Sequence, residues 1–191
     1  MGHLTLVLGG ASSGKSAYAE ALATTTARAA GAGVVYLATG AAGDHEMRAR
    51  IDRHRARRPA EWTTVETADL APSALAAIDP RALLVVDSLT AHLTHALLED
   101  ETALVAAYDQ GGPDALAPAL APTRELLAYA ARRDGATVVI GDELGQGIVP
   151  STALGRAFRD LVGLANQLAA RAAARAVLVE AGRPLELGVC P

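Results

Sequence analysis

The sequence is short of several things, and each shortage excludes something. Among its 191 residues there is one cysteine, Cys190. No intrachain disulfide and no cysteine-built metal site can form, which fits a reducing compartment. Aromatic residues make up only 3% of the chain, although hydrophobic residues make up 51%. The core must therefore be Ala, Val and Leu, a composition suited to helices packed closely on a sheet. There is no excess of positive charge, since the formal net charge is −4. That argues against nucleic acid as a partner, which usually meets a basic face. Long apolar runs are also missing. The Ala-rich stretch 168–179 is broken by Arg171 and Arg175, so no stable insertion in a membrane is expected. No secretory leader is expected either, because the first apolar run begins at Leu4. The opening residues miss the myristoylation pattern, with Leu6 at its sixth position. A cytoplasmic location follows as an expectation.

What the chain does have is Gly9-Gly10-Ala11-Ser12-Ser13-Gly14-Lys15-Ser16, a match to the P-loop pattern G-x-x-x-x-G-K-[ST]. It follows the apolar run 4–8 and precedes a helix-compatible stretch, 16–30. Glycines let backbone N–H groups turn inward around a phosphate chain. The helix that starts there adds the positive end of its dipole. Lys15 is placed to meet the outer phosphates, and the Ser16 hydroxyl to ligate Mg²⁺. A plain glycine-rich turn would not explain a lysine and a serine at the helix start.

Further along, strands read as short continuous apolar runs, the pattern of a sheet covered on both faces. They are expected at 4–8, 34–39, 62–66, 83–86, 137–140 and 176–179, with 185–187 as a possible edge strand. Helical stretches separate them, and Gly31-Ala32-Gly33 reads as a helix stop. The expected class is α/β: a P-loop NTPase-like (RecA-like) domain, with a mostly parallel central sheet and helices on both faces. Residues 1–191 are expected to form a single nucleotide-binding catalytic domain. The stretch 108–122 contains Gly111-Gly112-Pro113, Pro118 and Pro122. It reads as a surface loop or partly disordered insertion.

In such sheets ligands gather at the carboxyl ends of the strands. The P-loop, Thr39-Gly40, Asp87-Ser88 and Asp142-Glu143 all follow apolar runs and should meet there. Asp87 is placed like a Walker B acid, able to hold Mg²⁺ opposite Ser16. Ser88 is the better cap for the helix that follows. Residues 44–58 read as a helix with Met47, Ile51 and His54 on one face, ending before Pro59. His54 offers a neutral-pH nucleophile near Arg55, Arg57 and Arg58. Left to these features alone, a structural histidine on a solvated basic helix end stays open as the alternative.

Together the P-loop, the run Glu46-Met47, Arg50-Ile51, His54, Arg58-Pro59 and Trp62-Thr63-Thr64-Val65-Glu66, and the later 143–150 segment resemble one family. It is the bifunctional adenosylcobinamide kinase/adenosylcobinamide-phosphate guanylyltransferase family of cobalamin biosynthesis. Phe158-Arg159-Asp160, Gly163 and Asn166-Gln167 are similar to its late helix. The resemblance covers nearly the whole chain and implies two reactions. First, the terminal hydroxyl of adenosylcobinamide's aminopropanol arm takes a γ-phosphoryl group from GTP or ATP. Then GMP from GTP is carried on a histidine, matching His54, to the substrate phosphate, giving adenosylcobinamide-GDP. By the same resemblance Arg55 and Arg58 clamp the transferring phosphate. Glu66 and Asp87 match positions associated with guanine nucleotide binding, and either acid could read the guanine edge. Family members look like trimers, so a homo-oligomer is implied. The chain departs from the family pattern at Ser12 (commonly Arg), Asp87 (commonly Glu) and Asp142 (commonly Asn).

Two other readings predict different behaviour. A plain P-loop small-molecule kinase would transfer a γ-phosphoryl group and carry no covalent guanylate. A non-catalytic nucleotide-binding switch would bind nucleotide without consuming it.

Overall fold

A computed structural model describes residues 3–40, 55–56, 58–67 and 75–188. Seven strands form one sheet: β1 (Leu4–Gly9), β2 (Val34–Ala38), β3 (Thr63–Glu66), β4 (Leu83–Asp87), β5 (Thr137–Asp142), β6 (Arg175–Glu180) and β7 (Arg183–Leu187). Their spatial order is β3-β2-β4-β5-β1-β6-β7. All pairings are parallel except the β6–β7 hairpin. The expected α/β class and mostly parallel sheet are borne out.

Both faces of the central strands are covered, and this is why their sequences are continuously apolar. On one face Leu6, Leu8, Leu37, Leu84, Val86 and Val139 pack against Leu126, Leu161, Val162 and Ala165. On the other, Val7, Tyr36, Val85, Ile140 and Val177 pack against Ala19, Ala23 and Ala27. These three alanines lie on α1 (Lys15–Ala30) and are all buried. Their four-residue spacing makes a smooth face that lets the helix sit close to the sheet. Gly31, at φ 61, ends α1 with its N–H turned back on Arg28.

Further helices are α2 (Leu89–Glu99), α3 (Glu101–Gly111), α4 (Ala121–Arg132) and α5 (Ala153–Ala172). The 108–122 stretch is not the loop expected from its prolines. α3 runs to Gly111, two 3₁₀ turns follow (Gly112–Leu116 and Pro118–Leu120), and α4 begins at Ala121. Leu116 and Leu120 are buried in the core. Pro113, Pro118 and Pro122 each sit in the first positions of a helical turn, where the missing N–H costs nothing. Those prolines punctuate helices rather than breaking them.

At the amino edge of the sheet, Arg133 is 3% exposed. Its guanidinium donates to the Ala82 carbonyl (2.6 Å), the Asp79 carbonyl (3.1 Å) and the Tyr129 hydroxyl (2.7 Å). Tyr129 in turn donates to the Leu75 carbonyl at 2.7 Å. This clamp ties α4 to the approach to β4, at the far edge from the P-loop.

Candidate active site

The P-loop leaves β1 at Gly9 and enters α1 at Lys15. Gly14 has φ 95, a left-handed conformation that a side chain would strain. A Cβ there would also lie 3.1 Å from the Gly182 Cα in the β6–β7 turn. That turn braces the loop, since Gly182 N–H donates to the Ser13 carbonyl at 2.8 Å. Serine or aspartate side chains cap α2 and α3 through Ser88 and Asp100. α1 has no such cap and no acid in its first turn. Its positive end meets no capping side chain or first-turn acid.

Lys15 is 6% exposed and folds back over its own loop. Its ammonium donates to the Gly10 carbonyl at 3.0 Å and pairs with the Asp142 carboxylate at 2.7 Å. Asp142 ends β5, next to β1 in the sheet, in register with Gly9. Its backbone is pinned from both sides. Its N–H donates to the Thr90 hydroxyl at 3.0 Å, and its carbonyl accepts from Asn166 Nδ2 at 2.9 Å. Glu143 follows, with its N–H on the Gly9 carbonyl at 3.0 Å.

One strand further over, Asp87 ends β4. The buried Tyr36 hydroxyl donates to its carboxylate. Burial first, then the Asp87 charge, hold the Tyr36 hydroxyl well above its ordinary range. Tyr36 thus stays a proton donor to Asp87. Arg58 lies over the Tyr36 ring, 3.6 Å from its centroid, and Trp62 stacks at 6.2 Å. Arg58 also donates to the Thr64 hydroxyl at 3.4 Å. Thr39 is fully buried. Its hydroxyl donates to the Ser88 carbonyl at 2.6 Å and accepts from Ser88 N–H at 2.8 Å. Ser88 caps α2 as expected, accepting from Ala91 N–H at 3.1 Å.

At the end of the sheet, Glu66 closes β3 and forms an ion pair with Arg55, both half-exposed. Glu66, Ala38 and Asp87 stand in register across β3, β2 and β4.

The candidates therefore divide. Gly9, Gly10, Ala11, Ser12, Ser13, Gly14, Lys15 and Ser16 form the loop, and Asp87 and Glu66 stand on the same carboxyl edge. Arg55 and Arg58 come to that edge through Glu66 and Tyr36 respectively. Thr39 is occupied in holding the turn after β4. His54, with Arg57 and the rest of 41–54, lies outside the described residues. Sequence reading missed Tyr36, Thr90 and the Gly182 brace. Tyr36 carried one signal, as a lone hydroxyl-bearing aromatic in an otherwise aliphatic strand.

Comparison with known proteins adds to this geometry. The family model described as cobinamide kinase / cobinamide phosphate guanyltransferase matches residues 5–187. The chain is 36% identical to the bifunctional adenosylcobalamin biosynthesis protein CobU of Escherichia coli, covering 94% of this chain and 96% of that protein. It is 39% identical to the corresponding protein CobP of Pseudomonas aeruginosa, over 95% of each. A solved ATPase of a bacterial type III secretion system superposes with a TM-score of 0.53 at 16% identity. The match covers 93% of this chain and about half (51%) of that one, and it bears on the fold alone, which is P-loop NTPase-like.

Proposed function

The chain belongs to the cobinamide kinase / cobinamide phosphate guanyltransferase family, and from that premise we propose how its residues divide the two reactions. It is an enzyme of cobalamin biosynthesis, a kinase and a guanylyltransferase, using nucleoside triphosphate as co-substrate. The observation that carries the residue assignment is the shared edge. The uncapped start of α1, Asp142 and Asp87 follow three neighbouring strands, β1, β5 and β4, and Glu66 ends β3 at the same edge, beyond β2.

In the first step Lys15 and the P-loop amides hold the triphosphate while its γ-phosphoryl group passes to the acceptor hydroxyl. Lys15 must leave Asp142 to do so. In the second, His54 attacks the α-phosphorus of GTP, pyrophosphate leaves, and the phosphorylated acceptor takes the GMP. Arg58 and Arg55 offset charge on the phosphate in flight.

Strand spacing separates the two acids. Asp87 stands two strands from the P-loop strand, or about 10 Å, and Glu66 four strands, or about 19 Å. The nearer acid suits the phosphate end, and the farther acid suits the guanine edge. Mg²⁺ fits Ser16 and Asp87. It takes one or two protein oxygens beside phosphate, and Asp87 is partly exposed at its strand end. Bound there, Mg²⁺ would offset phosphate charge.

The whole chain acts as one catalytic unit in this reading. Triphosphate supply places it in the cytoplasm. A homotrimer belongs to the same proposal, supported by the outer strand β7, which leaves Leu185 and Leu187 exposed.

Intact mass after incubation with GTP and Mg²⁺ is the test. A GMP-sized gain is expected, and it should vanish in His54→Ala. An adduct that persists in that variant removes His54 from the role. No adduct with the unsubstituted chain leaves a kinase alone.

A further inference from the structure

Just past the carboxyl end of β5, on the α5 side of the sheet, lies a cavity of about 320 Å³. Glu143, Arg159, Asp160, Gly163 and Gln167 line it, and Pro113 from the first 3₁₀ turn closes one wall. Nothing in the nucleotide assignment uses these side chains. We propose that this cavity receives the uncharged, hydroxyl-bearing arm of the acceptor in the kinase step, with Glu143 as the base that takes the hydroxyl proton. The inference rests on the kinase reading and names the acceptor side of that same site.

Position is the first argument. Glu143 directly follows the Lys15 partner Asp142, and its backbone is bonded to Gly9 at the base of the P-loop. Asn166, also on the cavity wall, holds the Asp142 carbonyl. Glu143 on the cavity wall is thus the chain neighbour of Asp142, the group that pairs with Lys15. The Glu143 side chain is oriented by the Gly145 N–H, which donates to one of its oxygens and leaves the carboxylate partly exposed.

Size is the second. Pockets for whole small molecules run from about 300 to 1,000 Å³. A cavity at the lower end takes a flexible arm and leaves a macrocycle outside.

Charge is the third. The lining sets one guanidinium, Arg159, against two carboxylates, Glu143 and Asp160. Asp160 is further fixed by the Tyr108 hydroxyl at 2.6 Å, and Arg159 lies 3.6 Å from it. A neutral alcohol on an amide-linked arm fits this surface, with Gln167 and Arg159 as donors to the amide. A phosphate does not, so the product of the transfer is repelled from the place where it formed.

The step balances. A bond forms from the acceptor oxygen to the γ-phosphorus as the bond from that phosphorus to the β–γ bridging oxygen breaks. The nucleoside diphosphate leaves, and the hydroxyl proton passes to the Glu143 carboxylate.

Gly163 gives the means of testing this. It is an exposed position of α5 where an added Cβ meets nothing within 4 Å. Gly163→Phe fills the cavity without straining its own backbone, and Gln167→Trp fills it from the next turn should the first variant fold poorly. GTP affinity and sedimentation of each variant report its integrity. Expected are a KM for cobinamide raised by at least ~10-fold with GTP affinity unchanged, and in Glu143→Gln a kcat lowered by ~100-fold with KM held. A KM unmoved by either filling variant overturns the cavity, as does a KM rise that merely tracks loss of the oligomer. Unchanged kcat in Glu143→Gln overturns the base. If the unsubstituted enzyme forms the GMP adduct but phosphorylates no cobinamide, the kinase reading falls and takes this assignment with it.

Discussion

Lys15 and Asp142 form an ion pair at 2.7 Å, with the lysine side chain only 7% exposed and the aspartate 23%. The P-loop lysine is therefore held by an internal anion. In the proposed reading, nucleotide competes for that charge before it is bound productively.

Asp142→Asn keeps the shape and removes the competitor. The Asn166 and Thr90 contacts are to the backbone and survive the change. Calorimetric titration with GTP and Mg²⁺ should show affinity tighter by ~10-fold, or about 1.4 kcal/mol. Affinity that is unchanged or weaker would mean the carboxylate serves the bound nucleotide instead of opposing it.

Tyr36→Phe removes the donor that Asp87 accepts from. A lost bond to a charged group costs ~1.5 kcal/mol at a partly exposed site. Tm should fall by about 3–6 °C near neutral pH. The pH dependence has a definite sign. The folded state holds the Tyr36 proton more tightly than the unfolded chain, first through burial and then through Asp87. Its contribution is whole below about pH 10, where unfolded tyrosine begins to ionise, and declines as pH rises further. In alkaline melts the unsubstituted protein should therefore lose Tm more steeply than Tyr36→Phe. Parallel curves would contradict the assignment.

Arg133→Met tests the clamp at the far edge. The substitution leaves the Ala82 and Asp79 carbonyls without their guanidinium donor in a buried place. The cost is ~3 kcal/mol, or about 6–12 °C in Tm. GTP affinity should not move, because the clamp lies at the opposite end of β4 from Asp87. A variant as stable as its parent would show that water replaces the guanidinium there.

Much of this was legible in the residues. Runs such as Leu83-Leu84-Val85-Val86 named the strands because burial on both faces removes polar alternation, and the Gly-Lys-Ser turn named the phosphate loop. Capping chemistry placed Ser88 correctly. The 108–122 stretch was misread because proline and glycine counts do not distinguish a helix start from a loop. The apolar spacing of Leu116 and Leu120 was the better guide. Asp142 drew notice as a strand end on the ligand edge and as a departure from the family pattern. The P-loop and Asp142 were expected at one edge, but their ion pair could not be read, since it joins residues far apart in the chain by strand order. The same holds for Tyr36 and Asp87, which meet across β2 and β4.

The hairpin that finishes the sheet has one more consequence. All five residues of Arg183–Leu187 are exposed, and the turn leading into them rests on the back of the Ser13 peptide. A hydrogen bond thus joins the outer rim to the phosphate cradle. In the proposed homotrimer, a neighbouring copy lying along that rim would stiffen the cradle without touching nucleotide and would tie subunit association to the residence time of GTP.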